Sequence, residues 1–221
     1  MISRLIPVFL VLLTTACAST APSADTESMT DMERLFWERQ QEAMSRYTQA
    51  EVDFMTGMIG HHAQALIMAD LAVANEASSS IRILTSRIIN AQNDEIATMQ
   101  KWLKDRGEAV PEVHIDGLNL MIHTPGMDMS GGHDHMMPGM LSQAQLEELA
   151  ASRGPDFDRL FLTYMIQHHK GAVTMVKEMF SKDGAGNDEA AFKLASDIEA
   201  DQSTEIARME LMLESTTGFS N

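Results

Sequence analysis

The chain has a single cysteine, Cys17, among its 221 residues, so it cannot form an internal disulfide bond. Aromatic residues make up only 5% of the composition and β-branched runs are few, which argues against an all-β fold. Basic residues number 16 against 32 acidic ones, and the formal charge of -16 repels nucleic acids. The sequence also lacks a phosphate-binding loop, a nucleophile motif and a thiolate zinc pattern, so it does not indicate phosphoryl transfer, hydrolysis or a structural zinc site.

The N-terminal residues have the layout of a secretory signal peptide. Arg4 precedes an apolar run over residues 5–13 that is too short to span a bilayer. The segment Leu13-Thr14-Thr15-Ala16-Cys17 resembles a bacterial lipoprotein processing site, and an ordinary signal peptide cut near residue 16 or 18 is the alternative. We therefore expect a signal peptide over 1–16, a lipidated Cys17 that opens a flexible tether over 17–29, and a location in the periplasm or cell envelope. The lipid would be the only membrane contact.

The rest of the chain is rich in helix-forming residues, among them Ala, Leu, Met, Glu and Gln. Periodicity and capping signals predict one domain over 30–216. Its helices are expected at about 30–47, 51–75, 80–106, 142–154 and 155–181, with a final helix from the 184–187 break to about 215. Apart from the short helix at 142–154, the linker over 107–154 is predicted to be irregular.

An internal repeat covers most of this domain. The pattern Phe54-x-Thr56-x-Met58-Ile59-x-His61-His62-x-x-Ala65-x-x-Met68 recurs from Phe161 to Met175, and the pattern from Ile88 to Met99 recurs from Ile198 to Met209. Because a single helical hairpin cannot bury its apolar face, the halves at about 50–106 and 155–215 are expected to pack together. A long connection between two hairpins is typical of a ferritin-like four-helix bundle, so the predicted fold class is all-α with an extra N-terminal helix.

Potential metal ligands lie on the apolar faces of the repeated helices. Imidazoles and thioethers recur there at helical spacing, which brings them within reach of one another. The candidate ligands are His61, His62, His168, His169, Met58, Met68, Met165 and Met175. Polar residues of the partner helices are expected to support the histidines through hydrogen bonds: Gln92, Glu95, Gln202 and Glu205. Core histidines that are satisfied by hydrogen bonds, without metal, are the alternative interpretation.

The linker is rich in methionine and histidine. The chain has 19 methionines, and their clustering in the linker is not required for core filling. Thioethers suit Cu(I) and need lose no proton to bind it, while imidazole also suits Cu(II). We expect metal capture in the linker by Met121, His123, Met127, Met129, His133, His135, Met136, Met137 and Met140. A connector of accidental composition is the alternative.

At these residues the chain resembles the DUF305 family of exported bacterial proteins, marked by M-I-x-H-H-x-x-A followed by Q-x-x-E-I-x-x-M, often twice. The resemblance covers about residues 50–213. It implies a ferritin-like helical bundle and, from members implicated in periplasmic copper binding and resistance, copper binding at the two histidine pairs with the repeated methionines as helpers.

The sequence thus predicts a non-enzymatic envelope protein that sequesters or passes on copper, as Cu(I) or Cu(II), with silver following Cu(I). Its expected partners are metal ions and other copper-handling envelope proteins. A ferritin-like metallo-oxidase is one alternative, although such centres use Glu and Glu-x-x-His ligands where this chain has His-His and Gln-x-x-Glu. A structural envelope module without metal is the other.

Overall fold

A computed structural model describes residues 30–125 and 137–217. The chain divides into two compact units, residues 1–37 and 38–221; α1 begins in the first unit, and every other element belongs to the second. The described elements are α1 (Asp31–Met44), α2 (Gln49–Ala74), α3 (Ser79–Asp105), β1 (Glu112–Asp116), β2 (Asn119–His123), α4 (Gln143–Ala151), α5 (Gly154–Phe180) and α6 (Glu189–Thr217). The mostly helical structure confirms the helical class that the sequence predicts. The predicted signal peptide, Cys17 and the tether lie outside the described residues.

Local capping explains where the long helices begin. The backbone N–H of Thr48 donates to Glu51 Oε2 at 2.6 Å ahead of α2, and the Ser78 hydroxyl accepts from the N–H of Ile81 at 3.4 Å ahead of α3. Pro155 occupies the first turn of α5, where a missing N–H breaks no helical hydrogen bond. Among the described residues, no helix has the length and apolar character needed to cross a membrane.

The two repeats form helical hairpins, α2 with α3 and α5 with α6, and the hairpins pack together mainly through α2 and α5. The start of α5 lies beside the end of α2, where the N–H of Gly154 donates to the carbonyl of Asn75 at 2.9 Å. The two central helices are therefore antiparallel along their contact.

Two equivalent carboxylates tie each half to the other. Glu51 of α2 accepts a hydrogen bond from the N–H of Gly186, in the turn before α6, at 3.0 Å. Asp158 of α5, the counterpart of Glu51 in the second repeat, accepts from the N–H of Ser78, in the turn before α3, at 3.1 Å. Both carboxylates are buried, so each satisfies a backbone donor that has little access to water.

Two apolar clusters fill the interior. One contains Phe157, Phe161 and Leu84, and the other contains Phe54 and Trp102. Each fully buried large apolar side chain stabilises the fold by about 1.5–3 kcal/mol relative to an exposed one. These clusters make the surroundings of the central helices apolar, which matters for every polar group placed there.

The linker is more regular than predicted. Strands β1 and β2 form an antiparallel hairpin in which Asp116 lies opposite Asn119, and Gly117 adopts a φ of +59° in the turn between them. The prediction of an irregular linker is therefore wrong over 112–123. A glycine at the first position of a two-residue loop between alternating apolar residues is a hairpin signal, and Gly117 fills that position here.

Candidate metal centre

The histidines of the two repeats meet where α2 packs against α5. His61 and His168 are equivalent residues, and their ring centroids lie 3.9 Å apart with a tilt of 38° between the planes. Equivalent residues touch each other only beside an approximate two-fold axis, so this contacting pair marks the axis that relates the halves. The ring of His62 lies 6.4 Å from that of His61, and the ring of His169 lies 6.3 Å from that of His168. All four side chains are buried.

The outer histidine of each pair is bound to a carboxylate of its own hairpin. His62 Nε2 lies 2.7 Å from Glu95 Oε2, and His169 Nε2 lies 2.7 Å from Glu205 Oε2. An ionised carboxylate only accepts hydrogen bonds, so Nε2 carries the proton and donates it. The lone pair is then on Nδ1, which is buried in both rings without a hydrogen-bond partner among the described residues. A carboxylate that fixes the tautomer of an imidazole is the usual support of a metal-binding histidine.

His61 is held by the backbone of the linker. Its Nε2 lies 3.0 Å from the carbonyl oxygen of Pro138, an obligatory acceptor, so His61 also carries its lone pair on Nδ1. That Nδ1 is buried and unpartnered, as are both ring nitrogens of His168. Together with the Nδ1 atoms of His62 and His169, five buried imidazole nitrogens have no hydrogen-bond partner within the described part of the chain. A neutral His168 carries a proton on one of its two nitrogens, so the four rings offer four lone pairs. Buried polar atoms in native proteins are normally satisfied, and a bound cation would satisfy these lone pairs.

Burial keeps the inner histidines neutral. It lowers the pKa of His61 to about 3, and the neighbouring His62 adds to the effect. Burial also holds the pKa of His168 well below the usual value, with His61 the next contributor. Neutral imidazole is the form that binds metals, so at neutral pH both rings need lose no proton to bind a metal ion.

The four repeated methionines are buried on the same helices but in separate clusters. Met68 and Met165 belong to the cluster around Phe161, whereas Met58 and Met175 belong to the cluster around Phe54. The approximate two-fold axis exchanges the two sets. Thioethers therefore lie in both clusters that surround the histidines, and each is buried in an apolar environment.

The glutamines make no hydrogen bond to the histidines among the described residues, and their expected supporting role stays a prediction. Neither side-chain amide atom of Gln92 has a hydrogen-bond partner among the residues that the structure describes, and Gln202 Oε1 also lacks one, although both residues are buried. The glutamates, one helical turn further along, take the imidazole contacts instead. Sequence spacing alone could not separate the two, since residues three apart share one helix face.

Asp201 of α6 adds negative charge beside the glutamates. Partial burial raises its pKa, and the nearby charges of Glu95 and Glu205 raise it further. The carboxylates of α3 and α6 therefore repel one another where these helices meet. Such a field favours cations close to the buried imidazoles.

Residues 137–141, which we call the strap, cross the central helices beside His61. Gln64 binds the backbone of Leu141 on both sides, donating to its oxygen at 2.9 Å and accepting from its nitrogen at 2.7 Å. A Cβ atom at Gly171 would lie 1.9 Å from the carbonyl oxygen of Pro138, so only glycine permits this approach. The sequence analysis did not predict these contacts. A signal was present, because the first repeat has Gly60 and Gln64 where the second has Gln167 and Gly171.

The strap also brings one linker methionine to the bundle. A Cβ atom at Gly57 would lie 3.3 Å from Met137 Sδ and 3.4 Å from Met175 Cε, so both methionine side chains lie over this glycine. Met140 is half-buried in the strap, whereas Met121 and His123 are exposed on β2. The remaining linker candidates lie outside the described residues: Met127, Met129, His133, His135 and Met136.

Over 30–125 and 137–217, no group of three or more His, Cys, Asp or Glu side chains is arranged to hold a metal ion. A metal bound beside the imidazoles would therefore use thioether donors as well, or a rearrangement of the rings. Imidazole with thioether is a donor set suited to copper rather than to iron, calcium or magnesium. The residues thus fit a copper ion better than a carboxylate-ligated metal.

Solved structures with the same fold include one protein, CopM, that was solved with copper bound. A DUF305 fragment from Deinococcus radiodurans is 30% identical to this chain, with a TM-score of 0.59 over 76% of this chain and 97% of its own. A predicted secreted DUF305 protein from Streptomyces coelicolor is 25% identical, with a TM-score of 0.59 over 76% and 94%. CopM, solved in Cu(I)-bound and Cu(II)-bound forms, is 26% identical, with a TM-score of 0.54 over 75% and 96%.

No curated protein matches the sequence. The model of the DUF305 family, a domain of unknown function, matches residues 51–213, which include both hairpins, the linker and all four buried histidines. The chain belongs to the DUF305 family.

Proposed function

We propose that this protein is a non-enzymatic copper-binding protein of the cell envelope that sequesters or passes on copper. The observation that carries the proposal is the set of five buried imidazole nitrogens, unpartnered among the described residues, at the contact between the two repeats. Lone pairs in an apolar interior are costly unless a donor or a cation meets them. The copper-bound forms of CopM, a protein of the same fold, support copper as that cation.

In this proposal His61, His62, His168 and His169 are the main ligands, and Met58, Met68, Met165 and Met175 supply thioethers. Glu95 and Glu205 hold the outer rings in the tautomer that leaves Nδ1 free to bind. The formal charge of -16 concentrates cations around the protein. Silver, as a soft monovalent ion, follows Cu(I).

The linker captures the ion in this proposal and transfers it to the helices by ligand exchange. Met137 supports the idea, because it packs against the apolar cluster that contains Met58 and Met175. The other linker methionines and histidines that we predict to capture metal add to the donor set. Cys17, acylated, anchors the protein to a membrane, and its copper-handling partners lie in the same compartment.

The test is a titration of metal-free mature protein with Cu(II) in air and with Cu(I) under anaerobic conditions, each against a competing chelator. The four-histidine variant His61→Ala, His62→Ala, His168→Ala, His169→Ala is expected to lose the tightest site. The milder pair His61→Gln and His168→Gln covers the case in which that variant does not fold, as judged by circular dichroism. Met58→Leu is expected to weaken Cu(I) binding, while Met55→Leu, equally buried in the same cluster, serves as its control.

Weak, sub-stoichiometric binding that the histidine changes leave unaltered would overturn the proposal in favour of a structural module. Retention of iron or manganese together with oxygen consumption would overturn it in favour of a metallo-oxidase. The proposal is supported if the histidine variants fold and lose tight copper binding while the Met55→Leu control keeps it.

A further inference from the structure

The β1–β2 hairpin has one face on the bundle and one face in solvent. Its inner face carries apolar pairs, including Val113 opposite Ile122. Ile122 packs over the α2 glycine that precedes His61, since a Cβ atom at Gly60 would lie 2.3 Å from Ile122 Cδ1. The hairpin is thus fixed directly beside the buried histidines.

The outer face carries four side chains that can bind metals. Glu112 lies opposite His123, and His114 lies opposite Met121, on neighbouring cross-strand pairs of the same face. All four are exposed, and Met121 has 51% of its surface in contact with solvent. None of these side chains makes a hydrogen bond or ion pair with another described residue, so no structural interaction accounts for this composition.

The spacing of these side chains is suited to a shared ligand. Residues directly opposite in an antiparallel pair have Cβ atoms roughly 4.5–5.5 Å apart, and diagonal neighbours lie roughly 7–8 Å apart. Two imidazoles at diagonal positions can therefore reach one ion between them, with the carboxylate or the thioether beside it. Because the side chains are exposed, they can turn towards an ion without disturbing packed neighbours. In the structure as it stands, they form no preformed group of three such ligands among the described residues.

We propose that this outer face is a second copper site, in which His114 and His123 bind Cu(II) with Glu112 as a carboxylate ligand and Met121 as an adjacent thioether. The inference rests on the proposed function. It adds the ligands of one capture site in the linker and the oxidation state of the copper that this site binds. Imidazole and carboxylate donors suit Cu(II), whereas the buried centre has thioethers and no exposed ligand. The hairpin would hold the ion outside the bundle, one β-sheet layer away from His61.

The experiment compares three full-length mature proteins by Cu(II) titration and by electron paramagnetic resonance. The first is the variant His114→Ala, His123→Ala. The second is the control Asp116→Ala, Asn119→Ala, which changes the pair nearest the turn on the same face. The third is the four-histidine bundle variant described above. Circular dichroism and thermal unfolding establish that each is folded, and Glu112→Gln tests the carboxylate separately.

We expect the hairpin variant to lose one Cu(II) equivalent, together with the nitrogen splitting in its spectrum, while Cu(I) binding in the bundle persists. The control should keep the wild-type stoichiometry, and Glu112→Gln should bind the same equivalent about tenfold more weakly. If the hairpin variant binds as much Cu(II), equally tightly, the inference is wrong. If the four-histidine bundle variant loses copper and the hairpin variant does not, the hairpin site is refuted and the proposed function stands. If the hairpin still binds its Cu(II) ion while the four-histidine bundle variant keeps the wild-type Cu(I) affinity, the proposed function is refuted instead.

Discussion

At the scale of single residues, hydrogen bonding decides which imidazole nitrogen is free. Three of the four buried rings give their Nε2 proton to an oxygen that can only accept: a carboxylate for His62 and His169, and the Pro138 carbonyl for His61. The nitrogen left unpartnered by the described residues is then Nδ1 in each case. The two halves repeat the imidazole–glutamate contact with the same 2.7 Å distance, which indicates that it is a shared feature of the duplicated hairpin.

The change Glu95→Gln should weaken copper binding about tenfold while leaving the protein folded. The neutral amide oxygen accepts a weaker hydrogen bond from Nε2 of His62 than a carboxylate does. The amide N–H can also donate to Nε2 and favour the tautomer with the proton on Nδ1, so Nδ1 of His62 becomes a poorer ligand. Asp94→Asn is the matched control, because it removes the same charge from the neighbouring, exposed residue of α3 without touching a histidine. Chelator-competition titrations measure both. Equal losses in the two variants would show that net charge, not the imidazole contact, sets the affinity.

At the scale of elements, the linker crosses the two equivalent helices α2 and α5. The two repeats have different residues at the equivalent positions that contact it. The first repeat has Gly60 and Gln64, and the second has Gln167 and Gly171 at the equivalent positions. Gln64 binds Leu141, while the Gln167 amide donates to the carbonyl of Gly139 at 3.3 Å. The glycines leave room for the strap and the side chain of Ile122, and the glutamines bind the strap.

Gly171→Ala should displace the strap and destabilise the protein by about 1–3 kcal/mol, the usual cost of overpacking, because the new methyl group would overlap the Pro138 carbonyl. Gly57→Ala is the matched control in α2. Its nearest atoms are the ends of two flexible methionine side chains, so the helix-favouring effect of alanine should leave stability unchanged or raise it by about 1 kcal/mol. Urea unfolding followed by circular dichroism measures both. A Gly171→Ala protein as stable as the wild type would mean that the strap is not held as the structure describes.

At the scale of the whole molecule, the buried neutral histidines make the metal-free fold sensitive to acid. Unfolding exposes His61 and His168, whose pKa values then return to about 6.5. Between that value and the folded pKa, about 3 for His61, the unfolded chain binds more protons than the folded one. Stability is therefore fully present above pH 6.5 and decreases as the pH falls towards 3.

We predict that the unfolding free energy of the metal-free protein falls steadily as the pH decreases below about 6.5, because both histidines take up protons on unfolding. Urea unfolding at pH 5, 6 and 7 in the presence of a chelator measures this slope. His61→Gln with His168→Gln should flatten it, because glutamine has no proton to gain, whereas His114→Gln on the exposed hairpin should leave it unchanged. A wild-type slope that matches the double variant would contradict the prediction.

Most of the local structure was determined by the sequence alone. Helical periodicity, caps such as Thr48 and the duplicated motif predicted the long helices to within a few residues, because these signals depend only on neighbours along the chain. The histidine pairs were recognisable in the same way, since a motif present once in each half must occupy equivalent places in the two halves.

Tertiary structure decided what those side chains contact. Two adjacent histidines on a helix point about 100° apart, so only the packing of α2 against α5 could place the His61 ring against that of His168 and direct His62 towards α3. Gln92 and Glu95 share one helix face, and the distance across the hairpin selected the glutamate. The strap over Gly171 and the hairpin beside Gly60 depend on contacts between segments far apart in sequence, for which periodicity carries no information.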